Sequence, residues 1–312
     1  MRFPYTGLLP VEKPAGISSR GVVDAVAKAL GMKAVGHAGT LDPIASGVVV
    51  VCVGHATRLV DFLHALPKRY QGEFLLGRSS PSDDTELPVE LEADPPQPSA
   101  EAVQHALAAF RGSIMQRPCD YSAVHIDGKR AYALARKGRA VELTAKPVTI
   151  HSLQVLAYDW PTLMLDVECS SGTYIRALGR DLAASLNTKA VMSGLVRTEV
   201  GPFRLADAVP LQRFRAASPE EAKQAALHWL RPAIDAVRHL PTATLSSELI
   251  ERIACGGIVP TDVVPRPKDA AVGNTAASGD VVAATDREGS LVGILRPHPA
   301  GWRVRPNFVG RS

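Results

Sequence analysis

The stretch of sequence that decides the fold reads Gly36-His37-Ala38-Gly39-Thr40-Leu41-Asp42-Pro43-Ile44-Ala45-Ser46-Gly47. A helical pattern precedes it, and residues 48–53 follow it as a β-branched run typical of a buried strand. The glycines of the stretch allow tight turns and close approach of the backbone. The proline restricts the backbone of the aspartate before it. The sequence therefore predicts a loop that presents Asp42 from a defined position between a helix and a strand.

Asp42 is the candidate functional group of this loop, because a histidine and a threonine hydroxyl accompany it. A carboxylate displayed in this way can serve as a nucleophile, a base or a metal ligand. An Asp-Pro pair is also a common way to start a turn, so these residues alone leave both interpretations open.

The segments around this loop predict an alternation of strands and helices. Residues 7–11 predict a strand, Ser18 or Ser19 is the expected N-cap of the next helix, and Gly31 is its expected C-terminus. Further strands are expected at 70–76, 148–158 and 162–169, further helices at 57–66, 100–110, 128–139 and about 173–186, a helix-rich stretch at 211–230, and loops at 36–47 and 112–128. Residues 79–99, with several prolines and acidic side chains, are expected to be a solvated connection.

The chain divides into two predicted domains. Residues 1–232 are expected to form an α+β domain with a mixed or antiparallel sheet and an insertion at about 79–145. Residues 233–312 predict one short helix at 249–257 and short strands at 280–284, 291–295 and 302–304, separated by Gly, Asp and Pro turns. We expect this second part to be a small β-rich domain.

Composition and charge exclude several classes of protein. The chain has 312 residues, of which 46% are hydrophobic and 21% are charged, as in a folded globular protein. Its formal net charge of +4 is too small for binding nucleic acid by bulk electrostatics, although it permits a local basic patch. The apolar runs are too short to span a membrane and no secretion signal is present, so we expect a cytoplasmic protein without a membrane partner.

The sequence gives no support for a metal or an organic cofactor. The four cysteines are far apart and form no CxxC pair or Cys/His cluster. The segment Lys13-Pro14-Ala15-Gly16-Ile17-Ser18-Ser19 lacks the spacing of a phosphate-binding loop, and no GxGxxG, GxSxG or HExxH motif occurs. We therefore expect neither kind of group.

Gly172-Thr173-Tyr174-Ile175-Arg176 is a second candidate element, at a turn from a strand into a helix. Tyr174 and Arg176 can face one cleft from such a turn, and arginine can hold a carboxylate or phosphate through two hydrogen bonds. A core tyrosine beside a surface arginine explains the same pattern. Tyr70, in Lys68-Arg69-Tyr70, begins a predicted strand and by itself would be interpreted as a core residue.

Five segments in this order resemble the TruB-type tRNA pseudouridine-55 synthases. They are the Lys13 to Ser19 segment, the loop at 36–47, Lys68-Arg69-Tyr70, Tyr121-Ser122-Ala123 with Gly128-Lys129-Arg130-Ala131-Tyr132, and Gly172-Thr173-Tyr174-Ile175-Arg176. The resemblance extends from about residue 7 to about residue 205. It implies a pseudouridine synthase catalytic domain, followed by a small PUA-like RNA-binding domain.

The resemblance also implies a role for each matching residue. Asp42 is implied to be the catalytic aspartate, which acts at the ribose C1′ or C2′ of a target uridine while the glycosidic bond breaks. The uracil then turns and reattaches through C5, without a metal or an organic cofactor. Tyr70 is implied to stack on the base and is a candidate for removing the C5 proton. Arg176 is implied to pair with Asp42, and Tyr174 to line the pocket.

Base flipping accounts for two further expectations, because a base inside a folded RNA loop must be extruded before it can react. The resemblance implies that His37 fills the space which the flipped base leaves. Candidates for phosphate contacts are Lys13, Lys129, Arg130, Arg136 and Lys137, although a solvated helix face is the better explanation of any single one of them. An arginine-paired carboxylate such as Asp42 is expected to keep a low pKa and to stay ionised.

The implied protein is an isomerase of tRNA processing that binds the T-stem-loop of tRNA, as a monomer with no obligatory protein partner. One alternative is a guide-RNA-directed relative that works inside a ribonucleoprotein, and another is an RNA-folding factor without catalysis. Motifs that begin near residue 7 and the insertion at 79–145 favour the stand-alone enzyme. The presence of Asp42, Tyr70 and Arg176 argues against a protein that only binds RNA. Residues 79–85 follow the family's acidic stretch only loosely, which we expect to affect fine substrate contacts rather than chemistry.

Overall fold

The computed structural model of the chain describes residues 3–122, 125–126, 129–130, 143–215, 218–264 and 281–309, with only the backbone of 125–126 and 129–130. The strands are β1 (Gly7–Lys13), β2 (Val35–Ala38), β3 (Ser46–Val53), β4 (Lys68–Leu76), β5 (Arg78–Ser79), β6 (Glu90–Leu91), β7 (Gly112–Gln116), β8 (His125–Ile126), β9 (Lys129–Arg130), β10 (Lys146–Asp159), β11 (Thr162–Cys169), β12 (Ala190–Val200), β13 (Phe203–Arg204), β14 (Val209–Pro210), β15 (Thr242–Thr244), β16 (Val282–Thr285), β17 (Leu291–His298) and β18 (Gly301–Asn307). The α-helices are α1 (Ser19–Leu30), α2 (Val60–Ala65), α3 (Ala100–Ala106), α4 (Ile175–Ser185), α5 (Gln212–Arg215), α6 (Pro219–His228) and α7 (Ser247–Ala254). No helix among these residues is long and apolar enough to cross a membrane.

One large mixed sheet forms the framework of the first part of the chain. Its strand order is β14-β1-β3-β12-β4-β11-β10-β7, with β2 paired to β3 and β13 paired to β12. The central strands β3 and β12 run parallel but pair only at Val196↔Ser46 and Arg197↔Gly47. The middle of the sheet is therefore joined at the point where β3 begins, directly after the Asp42 loop. This mixed sheet with helices confirms the predicted fold class.

Helix α1 forms where its sequence predicts it. The Ser18 hydroxyl accepts a hydrogen bond from the amide of Gly21 at 3.1 Å, and Gly31 ends the helix in the left-handed conformation, with φ 63°. Val22 and Val26 are fully buried, at 0% exposure, so the apolar face of the helix packs into the core of the large sheet.

The predicted strands and helices near this framework are confirmed, with three differences. The expected loop at 36–47 is shorter, because β2 pairs with β3 from Val35↔Val53 to Ala38↔Val50. The expected loop at 112–128 begins with a strand, because β7 adds an edge to β10. The expected helix at 128–139 is wrong at its start, where β9 pairs with β8, and residues 131–139 lie outside the described residues.

Strand β12 is the long central strand that the sequence did not predict. It lies between β3 and β4 in the middle of the sheet. Its pairing with β4 shifts register between Met192 and Gly194 and again between Arg197 and Glu199. These irregularities break the alternation of apolar and polar residues by which a strand is predicted, so the pattern failed where the sheet bends.

A separate sheet in the order β15-β16-β17-β18 lies in the C-terminal part of the chain, beside α7. The predicted helix and all three predicted strands are confirmed within a few residues, and the arrangement fits the expected PUA-like domain. Ala283 and Ile294 of this sheet pack in one apolar cluster with Leu8 and Val50 of the large sheet. The C-terminal sheet therefore shares buried surface with the framework that carries the Asp42 loop.

Candidate active site

Asp42 lies in the loop between β2 and β3, and the residues around this loop fix its path. The Ser19 hydroxyl accepts a hydrogen bond from the Leu41 amide at 2.8 Å and donates one to the Leu41 carbonyl at 3.2 Å. At the other end Gly47 has φ 117°, and a Cβ there would lie 2.3 Å from the carbonyl oxygen of Arg197. A glycine is therefore required where the loop enters β3.

Lys13 lies behind the loop and not in a cavity, because its side chain is 0% exposed. Its ammonium group donates to the carbonyls of Ile17 at 2.7 Å, Pro14 at 3.1 Å and Pro43 at 3.4 Å. Burial lowers the pKa of Lys13 to about 8. The interpretation of Lys13 as a phosphate contact does not agree with this burial. Its contacts instead tie the strand before α1 to the proline that follows Asp42.

Arg176, at the start of α4, is the partner of Asp42. Its Nε lies 3.0 Å from Oδ2 of Asp42, and a terminal nitrogen lies 3.2 Å from Oδ2 of Asp84. The two terminal nitrogens also donate to the carbonyls of Ser82 at 2.8 Å and Tyr121 at 3.0 Å. The guanidinium of Arg176 therefore has four partners, which hold it in one position. Its ion pair with Asp42 in turn fixes the position of that carboxylate.

Gln116, on β7, holds the backbone at the start of α4. Its side-chain oxygen accepts from the Tyr174 amide at 2.9 Å, and its side-chain nitrogen donates to the Tyr174 carbonyl at 3.1 Å. Tyr174 is the N-cap residue of the helix and makes no capping bond with its own side chain. The buried amide therefore takes over part of the capping and sets the direction in which Arg176 leaves the helix. The sequence did not reveal Gln116, because β7 was expected to be loop.

Asp84 is a charged site residue that the sequence missed. It was expected in a solvated connection, but its side chain is 1% exposed. Besides pairing with Arg176, its carboxylate accepts hydrogen bonds from the Ser82 hydroxyl and from the amide of Glu86. The expectation of a solvated segment is therefore wrong at Ser82 and Asp84, because the buried guanidinium provides a partner for a buried carboxylate. The acidic stretch at 79–85 was the available signal.

The electrostatics of Asp42 differ from the expectation. Burial raises the pKa of Asp42 above its ordinary value, and the charge of Asp84 adds to the rise, while Arg176 and Lys13 oppose it. The low pKa that the sequence predicted is therefore wrong in direction. That prediction considered only the effect of Arg176 on the pKa of Asp42. It left out the burial of the loop and the second carboxylate, Asp84, that pairs with the same guanidinium.

A cavity of about 350 Å³ opens at Asp42 and Arg176. Its other lining residues include His37, Gly39, Thr40, Leu41, His64, Lys68, Tyr70, Ser170, Ser171, Gly172, Thr173, Tyr174, Ile175, Leu195 and Arg197. The volume lies near the lower end of small-molecule sites, which span roughly 300–1,000 Å³. Such a space suits one nucleoside better than a stretch of RNA. Of the predicted site residues, Asp42, His37, Tyr70, Tyr174 and Arg176 meet here.

The two tyrosines present aromatic rings to the cavity, Tyr70 from β4 and Tyr174 from the residue before α4. Burial raises the pKa of both phenols. Both side chains are therefore neutral near pH 7 and can stack on a heterocyclic base without a charge to desolvate.

A second cavity, of about 790 Å³, adjoins the first, and His37, Asp42 and Arg176 line both. His37 lies at this junction. Burial lowers the pKa of His37, so its ring is neutral near pH 7. Within the described residues its buried Nδ1 has no hydrogen-bond partner.

Four of the predicted phosphate contacts have no described side chain. Arg136 and Lys137 fall outside the described residues, and so do the side chains of Lys129 and Arg130. In the described part of the chain, no group of three or more His, Cys, Asp or Glu side chains is placed to hold a metal ion.

Known proteins match this chain over most of its length. Residues 27–175 match the family model described as TruB family pseudouridylate synthase (N terminal domain). A relative from a Synechococcus species, named tRNA pseudouridine synthase B, is 40% identical over 252 residues, which cover 80% of this chain and 83% of the relative. A relative of the same name from Dehalococcoides mccartyi is 36% identical over 307 residues, which cover 98% of this chain and 97% of the relative.

Two solved structures share the fold. One is described as an H/ACA RNP bound to a substrate RNA containing 2′-deoxyuridine, with a TM-score of 0.70 and 22% identity over 98% of this chain and 86% of that chain. The other is a Cbf5-Nop10-Gar1 complex, with a TM-score of 0.71 and 22% identity over 98% of this chain and 85% of that chain. These identities support the fold alone, whereas the sequence relatives are 36–40% identical over 80–98% of this chain. The chain belongs to the TruB family of pseudouridylate synthases.

Proposed function

We propose that this protein is a tRNA pseudouridine synthase that isomerises the T-loop uridine at tRNA position 55. The observation that carries the proposal is the Asp42 carboxylate, fixed by Arg176 on the wall of a cavity of about 350 Å³. The relatives named tRNA pseudouridine synthase B support tRNA as the substrate.

The substrate uridine must leave its RNA loop to reach this carboxylate. Extruding a base costs a few kcal/mol, which stacking and hydrogen bonds inside the site repay. Tyr70 and Tyr174 supply the stacking surfaces in the cavity. We assign to His37, at the junction of the two cavities, the role of filling the space that the base vacates in the RNA loop.

Asp42 performs the step that breaks the glycosidic bond, either as a nucleophile at the ribose C1′ or as a base at C2′. Both routes need the ionised carboxylate. Arg176 engages Oδ2, and the side chain of Asp42 remains 35% exposed, so the carboxylate can still meet a ribose. The detached uracil then turns within the cavity and bonds to the ribose through C5. Substrate and product have the same atoms, so the reaction needs no external oxidant, reductant or group donor.

We also propose that the enzyme works as a stand-alone monomer in the cytoplasm, without a guide RNA or an obligatory protein partner. The proposal draws support from the relative named tRNA pseudouridine synthase B, whose match covers 98% of this chain and 97% of the relative. The ribonucleoprotein neighbours share 22% identity and support only the common fold.

The test is release of tritium from tRNA transcript labelled at C5 of uridine, because pseudouridine formation exchanges the C5 hydrogen. We expect release from a transcript with the T-loop uridine and none from a transcript in which cytidine replaces it. Release that persists without this uridine would contradict the proposed site on tRNA. Release that requires an added guide RNA would contradict the stand-alone enzyme.

A further inference from the structure

Four arginines form a cluster where the C-terminal sheet meets the large sheet. Arg58 lies in the short helical turn before α2, Arg296 lies on β17, and Arg303 and Arg305 lie on β18. Arg58, Arg296 and Arg305 are exposed, and Arg303 is half-buried. The proposed chemistry uses none of these side chains. We call the four residues the junction cluster.

Contacts between the two parts of the chain hold the junction cluster together. Arg296 and Arg303 are directly opposite each other on β17 and β18, so their side chains leave the same face of the sheet. The Nε of Arg296 donates to the carbonyl of Arg305 at 3.2 Å. A terminal nitrogen of Arg58 donates to the carbonyl of Asn307, at the end of β18, at 3.4 Å. The cluster therefore joins the turn before α2 to the last strand of the C-terminal sheet.

Arg296 is held over an aromatic ring of the first part of the chain. The central carbon of its guanidinium lies 6.0 Å from the centre of the Phe62 ring on α2. Phe62 itself packs against the apolar cluster that contains Ala283 and Ile294. An arginine has five N–H donors, and the bond to the Arg305 carbonyl uses one of them. The guanidinium is therefore positioned by the protein and keeps donors for a ligand.

The protein does not neutralise the charge of the junction cluster. The ion pairs within the described residues include no member of the cluster. Asp61, which is exposed on α2 three residues after Arg58, takes part in none of these pairs either. Like charges side by side repel one another, and a ligand with several negative charges relieves that repulsion. The phosphates of a nucleic-acid backbone fit guanidinium groups through paired hydrogen bonds.

Helix α2 connects the junction cluster with the cavity that holds Asp42. The helix has six residues and is therefore about 9 Å long. Phe62 on this helix contacts Arg296, whereas His64 lines the cavity. A uridine in the cavity thus brings its RNA to within about one length of this helix from the cluster.

We propose that the junction cluster binds phosphate groups of the tRNA stem that leads away from the T-loop. This inference rests on the proposed function, because it takes tRNA as the ligand. While the loop delivers its uridine to the cavity, the cluster holds the backbone of the stem behind it. Phosphate contacts fix the position of a nucleic acid but carry no sequence information. The cluster therefore raises the affinity for tRNA and leaves the rate of the bound complex unchanged.

Arg58→Gln, Arg303→Gln and the double variant test this inference, with Lys28→Gln as the matched control. Each single substitution removes one positive charge. Lys28 is exposed on α1. Val49 and Val50, which follow each other on β3, belong to the apolar clusters of α1 and of the C-terminal sheet respectively. Because successive residues of a strand face opposite sides, Lys28 lies across the large sheet from the junction cluster.

The measurement is tRNA affinity by filter retention over a series of salt concentrations. We expect each arginine variant to bind tRNA roughly two- to fivefold more weakly than the unaltered enzyme, and the double variant roughly tenfold. The slope of log affinity against log salt should become shallower by about 0.9 for each arginine removed. A hairpin that carries the T-loop on a stem cut to a few base pairs should bind all variants alike. At saturating tRNA, single-turnover tritium release should equal that of the unaltered enzyme.

An unchanged affinity and salt slope in the double variant would overturn the inference. An equal loss in Lys28→Gln, or on the shortened hairpin, would overturn it as well, because neither depends on this contact with the stem. So would a slower release at saturating tRNA, since the arginines would then act through the cavity. The binding assay needs no turnover. An unaltered enzyme that releases no tritium would therefore refute the proposed function, while the affinities still decide whether the cluster binds the stem.

Discussion

Replacing Asp84 by asparagine isolates the second carboxylate on Arg176. Asp84→Asn keeps the size of the side chain, so Ser82 and Glu86 retain an oxygen to donate to. What it removes is the negative charge 3.2 Å from the guanidinium of Arg176. Because Asp84 is 1% exposed, water cannot replace that charge.

The expected loss follows from this geometry. Truncating one partner of a buried ion pair costs about 3–5 kcal/mol when the other charge is left alone. Asp42 still pairs with the same guanidinium, so we expect the lower figure of a hydrogen bond to a charged group, about 2 kcal/mol. If that energy holds Arg176 against Asp42 in the transition state, the single-turnover rate falls roughly 30-fold. The melting temperature falls by about 5 °C if the same energy is lost from the folded state.

The acid limb of the pH–rate profile should move to lower pH in Asp84→Asn, a shift that a general loss of structure would not produce. The charge of Asp84 helps to raise the pKa of Asp42, so its removal lowers that pKa. Asp42 acts as the ionised form, and the rate falls as the pH drops through its pKa. The acid limb of Asp84→Asn should therefore lie at lower pH than that of the unaltered enzyme, although the maximal rate of the variant is lower. Single-turnover tritium release from acidic to neutral pH measures both effects.

Asp181→Asn is the matched control, because Asp181 pairs with Arg180 at 2.9 Å and its side chain is 37% exposed. We expect this variant to keep the rate and the acid limb of the unaltered enzyme. The reasoning is refuted if Asp84→Asn behaves like the control. An acid limb that moves to higher pH would refute the electrostatic link between Asp84 and Asp42.

Three further predictions concern the residues that support the site. Lys13→Met removes the ammonium that ties the loop from behind, and we expect a stability loss of about 1–3 kcal/mol in urea unfolding with tRNA affinity nearly kept. Gly179→Ala places a Cβ 2.1 Å from the ring of Phe74. We expect this overpacking to lower the free energy of unfolding by about 1–3 kcal/mol, which a lower melting temperature would show. Gln116→Leu removes both bonds to the Tyr174 backbone, and we expect a slower single turnover with little change in tRNA affinity. Unchanged stability in the first two, or an unchanged rate in the third, would contradict these assignments.

The local patterns of the sequence were sufficient for the elements that carry the site. The Ser18 cap and the Gly31 end of α1 follow from the chemistry of single residues, and the run before Val53 follows from β-branched composition. The family resemblance of the ordered motifs also implied the ion pair between Asp42 and Arg176, which the structure confirms.

The parts that failed depend on contacts between distant segments. Asp84 looked solvated because its partner Arg176 is far along the chain, and a local acidic stretch does not show which carboxylate is buried. Lys13 looked like a phosphate contact because the sequence does not show that carbonyls surround its ammonium group. Arg197 was missed because β12 is interrupted by shifts in register.

The central claim is that Asp42 carries the chemistry and not the binding. Single-turnover tritium release and tRNA affinity, measured side by side for the unaltered protein and for Asp42→Asn, test it most directly. Asn keeps the size of the side chain but can act neither as a nucleophile nor as a base at this site. We expect no release above background from Asp42→Asn, with tRNA affinity within a few fold of the unaltered protein. Release at a comparable rate, or a loss of tRNA binding that explains the loss of release, would contradict the account.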